Sequence, residues 1–123
     1  MNANEKKNRT NTRHLMNTRI AGFGYWDGAE AFEQLHIGSL LQLVPEFDNR
    51  FDPYAVAVYF GEYKLGFLPR EDNKEISKYL EMGYGDIYET RITRLNPQEH
   101  TEKQVEIVVK IKEKGMALQS AQW

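Results

Sequence analysis

Gly61-Glu62 separates two apolar-rich runs, Ala55 to Phe60 and Tyr63 to Leu68, and no other feature constrains the fold of this chain as tightly. Two strand-like runs joined by two residues, glycine first, predict a tight antiparallel hairpin with a primed turn, whose twist matches that of the strands. A lone hairpin is marginal in water, so other strands must complete its buried face. Thr18 to Tyr25 reads as a glycine-interrupted strand and Leu40 to Val44 as another, after a turn at Gly38-Ser39. Ile87 to Leu95 and Gln104 to Lys112 read as the last two, joined through Asn96-Pro97-Gln98-Glu99-His100. In the final run Val105, Ile107, Val109 and Ile111 alternate with Glu106, Val108, Lys110 and Lys112, giving one buried and one mostly solvated face. Ala29 to Leu35 suits a single helical turn. Asp72 with Glu75 resembles a capping box; Ile76, Tyr79 and Leu80 share one face, and Gly83 suits a C-terminal cap, so a helix is expected over about 73–82. The expected fold is mainly β: a small, six-stranded, partly open OB- or SH3-like barrel with one principal helix.

At 123 residues the chain has room for one core. Its 41% apolar content and its six Phe, seven Tyr and two Trp are too rich for disorder. Residues 1–17 are expected to be a flexible basic tail, 18–113 the barrel, and 114–123 a C-terminal tail. Lys6, Lys7, Arg9, Arg13 and Arg19 face only Glu5 among the first twenty residues, a balance of +4 in a chain of net charge −2. Two readings of the tail stand, an arm that tracks phosphates or a solvated end. The acidic remainder argues against non-specific coating of duplex DNA, which draws its affinity from many Lys and Arg contacts.

Several chemistries drop out. There is no cysteine, and His14, His36 and His100 lack metal-ligand spacing, so no structural zinc is expected. No Walker-type phosphate loop occurs, and Gly22-Phe23-Gly24 lacks the third glycine and helix of a dinucleotide fold. Asp27, Glu30, Asp48 and Asp52 could in principle hold Mg²⁺ for a nuclease, but acidic residues in turns more often cap backbone amides. No cofactor is expected. No window approaches the ~18 to 20 apolar residues of a membrane helix, and no signal peptide is visible, so a cytoplasmic location is expected.

The segment Glu46 to Val56, Glu-Phe-Asp-Asn-Arg-Phe-Asp-Pro-Tyr-Ala-Val, crowds more polar and aromatic residues into one turn than a connection requires. Asp52-Pro53 alone would make an ordinary turn, with Phe51 capping the core; a binding loop is the competing reading. Binding a single strand requires flat aromatic surfaces, a few hydrogen-bonding groups and some cations. Tyr25, Trp26, Phe51 and Phe67 are the stacking candidates, Asn49 and Asp52 the polar ones, and Arg70, Arg50 and Lys64 can reach phosphates. For each aromatic taken singly, core packing is the alternative role.

Three segments occur together: Ala21-Gly22-Phe23-Gly24-Tyr25-Trp26-Asp27-Gly28, Glu46 to Val56, and Lys64-Leu65-Gly66-Phe67-Leu68-Pro69-Arg70. In this order they resemble the HIRAN domain family over roughly residues 18 to 113. Its pattern runs Gly-x-x-Tyr-aromatic-x-Gly, then Glu-x-x-Asn-x-aromatic-Asp-x-x-Ala-aliphatic, then Gly-aromatic-aliphatic-Pro. The resemblance implies a non-catalytic, stand-alone module that recognises the free 3′-hydroxyl end of single-stranded DNA in DNA repair or replication-fork processing. Hydrolase activity in the family belongs to fused helicase-like ATPase domains. Carried over, Tyr25 and Phe51 stack on the terminal base, Asn49 touches a base edge, Asp52 accepts from the 3′-hydroxyl and Arg70 holds a nearby phosphate. Two positions depart from the best-understood eukaryotic members: Gly24 stands for a basic residue and Phe67 for a histidine. The rival reading is a protein-interaction module presenting Tyr25, Trp26 and Phe67 to a peptide, or to a helicase or nuclease partner.

Overall fold

The computed structural model describes residues 11–114 and forms one six-stranded antiparallel sheet. The strands are β1 (Thr12–Arg19), β2 (Leu40–Pro45), β3 (Val56–Phe60), β4 (Tyr63–Phe67), β5 (Tyr88–Leu95) and β6 (Val105–Lys112), in the order β1-β6-β5-β2-β3-β4. A four-residue helical turn, α1 (Gly28–Ala31), and the longer α2 (Arg70–Glu81) accompany them, with single 3-10 turns between. The mainly β, partly open barrel expected from the sequence is the fold observed.

The sheet consists of two halves joined narrowly. β2 meets β5 at only Leu40 opposite Arg91 and Leu41 opposite Thr90, then continues along β3 from Gln42 to Pro45. The ladder does not close. Instead Ala21, just beyond β1, makes an isolated two-bond bridge to Phe67, with amide-to-carbonyl distances of 2.8 and 2.9 Å. The bridge needs glycine beside it: Gly66 has φ +149°, and a Cβ there would lie 2.3 Å from the Ala21 carbonyl oxygen. Inside, Ile20, Val56, Leu65, Ile92, Ile107 and Val109 are wholly or nearly inaccessible and bind the two halves into one core.

Several boundaries differ from the sequence expectation. Thr12 to Asn17, expected as part of the tail, belong to β1 and pair with β6 along its length, with Met16 packed against the core. Their polar composition hid a strand that has only one buried face and a bulge between His14 and Met16. The rest of the N-terminal tail, and the C-terminal one from residue 115, lie outside the described residues. Conversely, the expected strand from Thr18 ends at Arg19, because Gly22 (φ 72°) turns the chain into a 3-10 turn over Phe23–Tyr25. α2 starts at Arg70, directly after Pro69, earlier than its expected start. Asp72 does not cap it but accepts a 2.6 Å hydrogen bond from Thr18 Oγ1, tying the helix to β1. Ile76 is buried as expected, whereas Tyr79 stays half-exposed, edge-on to Tyr84.

Candidate functional site

The β2–β3 loop is built by its own side chains. Asn49 Oδ1 accepts from the backbone amides of Phe51 and Asp52 (2.9 and 3.0 Å), and Asn49 Nδ2 donates to Glu46 Oε1 at 3.2 Å. Asp52 Oδ1 accepts from the Tyr54 amide at 2.9 Å. Such bonds replace the ladder that an irregular loop lacks, which accounts for the density of Asn and Asp here. α2 then pins the loop. Asn73, 2% exposed, donates its Nδ2 to Asp52 Oδ2 at 2.8 Å. Arg70 donates to the Phe51 carbonyl at 2.7 Å and holds its Nε 3.7 Å from Asp52 Oδ2. The Phe51 ring, excluded from all of this, is 85% exposed.

Across from the loop stand Ala21-Gly22 and the β4 end. Trp26 meets Phe67 edge-on, with ring centroids 5.7 Å apart. The Lys64 ammonium lies 3.8 Å from the Trp26 ring centre and 4.5 Å from that of Phe67, and donates to Glu46 Oε2 at 2.6 Å. Cation–π attraction and a largely sheltered ion pair engage this charge and hold the indole in place. Lys64, expected from the sequence as a cation for phosphates, thus has its charge engaged by Glu46 and the two rings and braces the wall that Trp26 and Phe67 form. Asp27 supports the same wall by accepting from the Lys64 amide at 2.9 Å.

Between loop and wall lies a groove of about 450 Å³. Of the site residues expected from the sequence, Trp26, Asn49, Phe51, Asp52, Phe67 and Arg70 all line it, and Tyr25 does not. Tyr25 lies in the adjacent 3-10 turn and is 85% exposed, so core packing accounts for neither it nor Phe51. Arg50 is also absent from the lining. Sequence reasoning missed Glu46 as a lining residue, Asn73 as the anchor of Asp52, and the turn at Thr101–Lys103, where Glu102 Oε1 accepts from the Gly22 amide at 2.8 Å. The Thr101 methyl would lie 2.9 Å from a Cβ at position 24, so the space beside Gly24 is already filled.

In the first turn of α2 the Glu71 carboxyl is held below its ordinary value, first by a backbone hydrogen bond and then by Arg19 at 3.2 Å. Among the described residues no three carboxylates or imidazoles come together to hold a metal ion, and no helix is long and apolar enough to cross a membrane.

A model of the HIRAN domain matches residues 14–112. The chain belongs to the HIRAN domain family. A Lactobacillus plantarum protein solved by a structural genomics consortium superposes with a TM-score of 0.70 at 22% identity, over 85% of this chain and 99% of that one. The HIRAN domain of human HLTF superposes with a TM-score of 0.55 at 14% identity, over 87% of this chain and 84% of that one. Identities this low establish a common fold and no more. No curated protein sequence matches the chain significantly. On the HIRAN framework, the groove uses all three of the motifs that carried the resemblance.

Proposed function

We propose that the groove receives the free 3′ end of single-stranded DNA, and that this HIRAN domain is a non-catalytic binding module acting in DNA repair or replication-fork processing. The observation that carries the reading is a fixed carboxylate, Asp52, in a groove beside the solvent-facing ring of Phe51 and the guanidinium of Arg70. An exposed aromatic gives nothing to the core, yet stacking a base on it contributes ~1 to 3 kcal/mol. A carboxylate accepts a hydrogen bond from a terminal hydroxyl and repels the phosphate of a continuing or 3′-phosphorylated strand. Asp52 has acceptor capacity left after Tyr54 and Asn73, and Arg70 retains donors for a phosphate one step inward.

Fluorescence anisotropy at low salt tests this with three labelled DNAs ending in a free 3′-hydroxyl, a 3′-phosphate or a 3′ hairpin. Preference for the first is expected; equal affinity for all three would reject end recognition. One observation favours a second reading. Because Lys64 is paired with Glu46, Arg70 is the one cation lining the groove among the described residues, and an aromatic groove so lightly charged also suits a peptide from a helicase or nuclease partner. DNA binding should weaken steeply with ionic strength, and peptide binding should not.

A further inference from the structure

The β1-β6-β5 half of the barrel has an outer face whose charge differs from that of the chain as a whole. Side chains directly opposite each other across an antiparallel pair point to the same side of the sheet. Register therefore sets Arg19, Glu106 and Arg94 in one row, then Asn17, Val108 and Arg91, then His14, Lys110 and Glu89, and finally Thr12 beside Lys112. The irregularities in β1 and β5 keep these rows on one side, opposite the buried Ile107, Val109 and Ile92. The face thus carries five Lys or Arg against two Glu, on a chain of net charge −2. Three of the five cations are engaged: Arg19 pairs with Glu71 at 3.2 Å and Arg94 with Glu106 at 3.1 Å, both exposed pairs of the weak kind, while Arg91 meets the more sheltered Glu89 at 3.4 Å and donates to the Gly38 carbonyl at 2.7 Å; each guanidinium keeps further donors. Lys110 and Lys112 make no ion pair among the described residues.

The face also begins beside the groove. Arg19 stands just before Ile20 and Ala21, and Ala21 lines the groove. From the Glu106 row to Lys112 is roughly 20 Å of strand at ~3.3 Å per residue, about the length of six stacked nucleotides at ~3.4 Å each.

We infer that the outer face of β1-β6-β5 is the track for the sugar-phosphate backbone of a single strand whose 3′ end sits in the groove, with Arg19, Arg94, Arg91, Lys110 and Lys112 as its cations. The inference rests on the groove reading for the placement of the end, and on cross-strand register for the track. The groove accounts for recognising the end; the face adds sequence-independent, salt-sensitive affinity that grows with strand length.

The test is binding of 3′-hydroxyl DNAs of three and twelve nucleotides across a salt series, to wild type and to Lys110→Gln/Lys112→Gln, with Lys110→Glu/Lys112→Glu as a second variant. Thermal melts check folding. The twelve-mer should bind wild type at least ~10-fold more tightly than the three-mer. The Gln pair should flatten the twelve-mer's log K against log salt slope by about 1.4, at ~0.7 per phosphate contact, and leave the three-mer within about twofold. The Glu pair should weaken the twelve-mer further. A twelve-mer that gains nothing over the three-mer, or that ignores both variants, overturns the track while three-mer binding keeps the groove. Twelve-mer binding that is sensitive to both variants but indifferent to a blocked 3′ end keeps the face as the DNA surface and overturns the groove. Absence of binding at either length overturns both. Displacement of the twelve-mer by an equal concentration of ten-residue polyglutamate assigns the face to acidic protein and overturns a nucleic-acid track.

Discussion

Asp52 holds the loop to α2 and, on the proposed reading, would also meet a strand end, and truncation to alanine does not separate the two. Asp52→Ala removes the partner of the buried Asn73 amide, and an unsatisfied buried donor costs ~1 to 3 kcal/mol. Asp52→Asn keeps a carbonyl oxygen for the Tyr54 amide, loses the charge, and keeps the bond to Asn73 once the Asn73 amide flips to present its oxygen to the new NH2. A lowered Tm is therefore expected for the Ala variant, a smaller change for Asn, and loss of discrimination between 3′-hydroxyl and 3′-phosphate in both. Undiminished discrimination by Asp52→Asn in anisotropy would remove the carboxylate from end recognition. Gly24 is a second case in which the neighbours decide. Any side chain there meets Thr101, so Gly24→Arg alone should cost ~1 to 3 kcal/mol by overpacking. Adding Thr101→Gly should recover much of that Tm and raise affinity for the three-nucleotide DNA; a double variant no more stable than Gly24→Arg would refute the steric account. Asn49, Phe51 and Asp52 were readable as a group because they crowd one loop. Asn73 and Glu102 were not, since their hydrogen bonds span 21 and 80 residues and no local pattern marks them.

Among the elements, the β3–β4 hairpin was legible because its turn chemistry and apolar runs agree, and it lies where expected, with Phe60 opposite Tyr63 across Gly61-Glu62. β1 was misread because its sequence, Thr-Arg-His-Leu-Met-Asn-Thr-Arg, has the composition of a solvated segment. Only the apolar side of β6 turns it into a strand, a tertiary effect invisible in the residues themselves. The same non-local logic makes Gly66 the sharpest test of the bridge between the two sheet halves. Gly66→Ala places a methyl against the Ala21 carbonyl and asks an L-residue to adopt φ +149°. The expected result is a loss of ~3 kcal/mol or more in denaturant unfolding, with faster amide exchange at Ala21 and Phe67. A Gly66→Ala variant as stable as wild type would mean that the bridge contributes nothing to closure.

In the molecule as a whole, α2 links opposite ends of the barrel: Arg70 and Asn73 serve the groove, while Glu75 and Tyr79 lie near enough to Tyr88 at the start of β5 to affect its phenol. A mainly β barrel was legible because each strand from β2 to β6 carries its own pattern. The order β1-β6-β5-β2-β3-β4 was not, because the short β2–β5 junction and the path of α2 are set by packing between distant segments. That packing has a consequence for pH. Burial, then the nearby Tyr79 and Glu75, raise the Tyr88 phenol above its ordinary value of 10.0. Below that value both folded and unfolded chains keep the proton, and the group leaves stability unchanged. Between the ordinary and the raised value the unfolded chain releases the proton while the folded chain retains it, so stability falls as pH rises through this window. Melts from about pH 8 to about pH 11 should show Tm declining in wild type above about pH 10, and declining less steeply in Tyr88→Phe, which cannot ionise. Parallel declines in the two proteins would mean that Tyr88 ionises alike folded and unfolded, and that the contact of α2 with the start of β5 is looser than the structure has it.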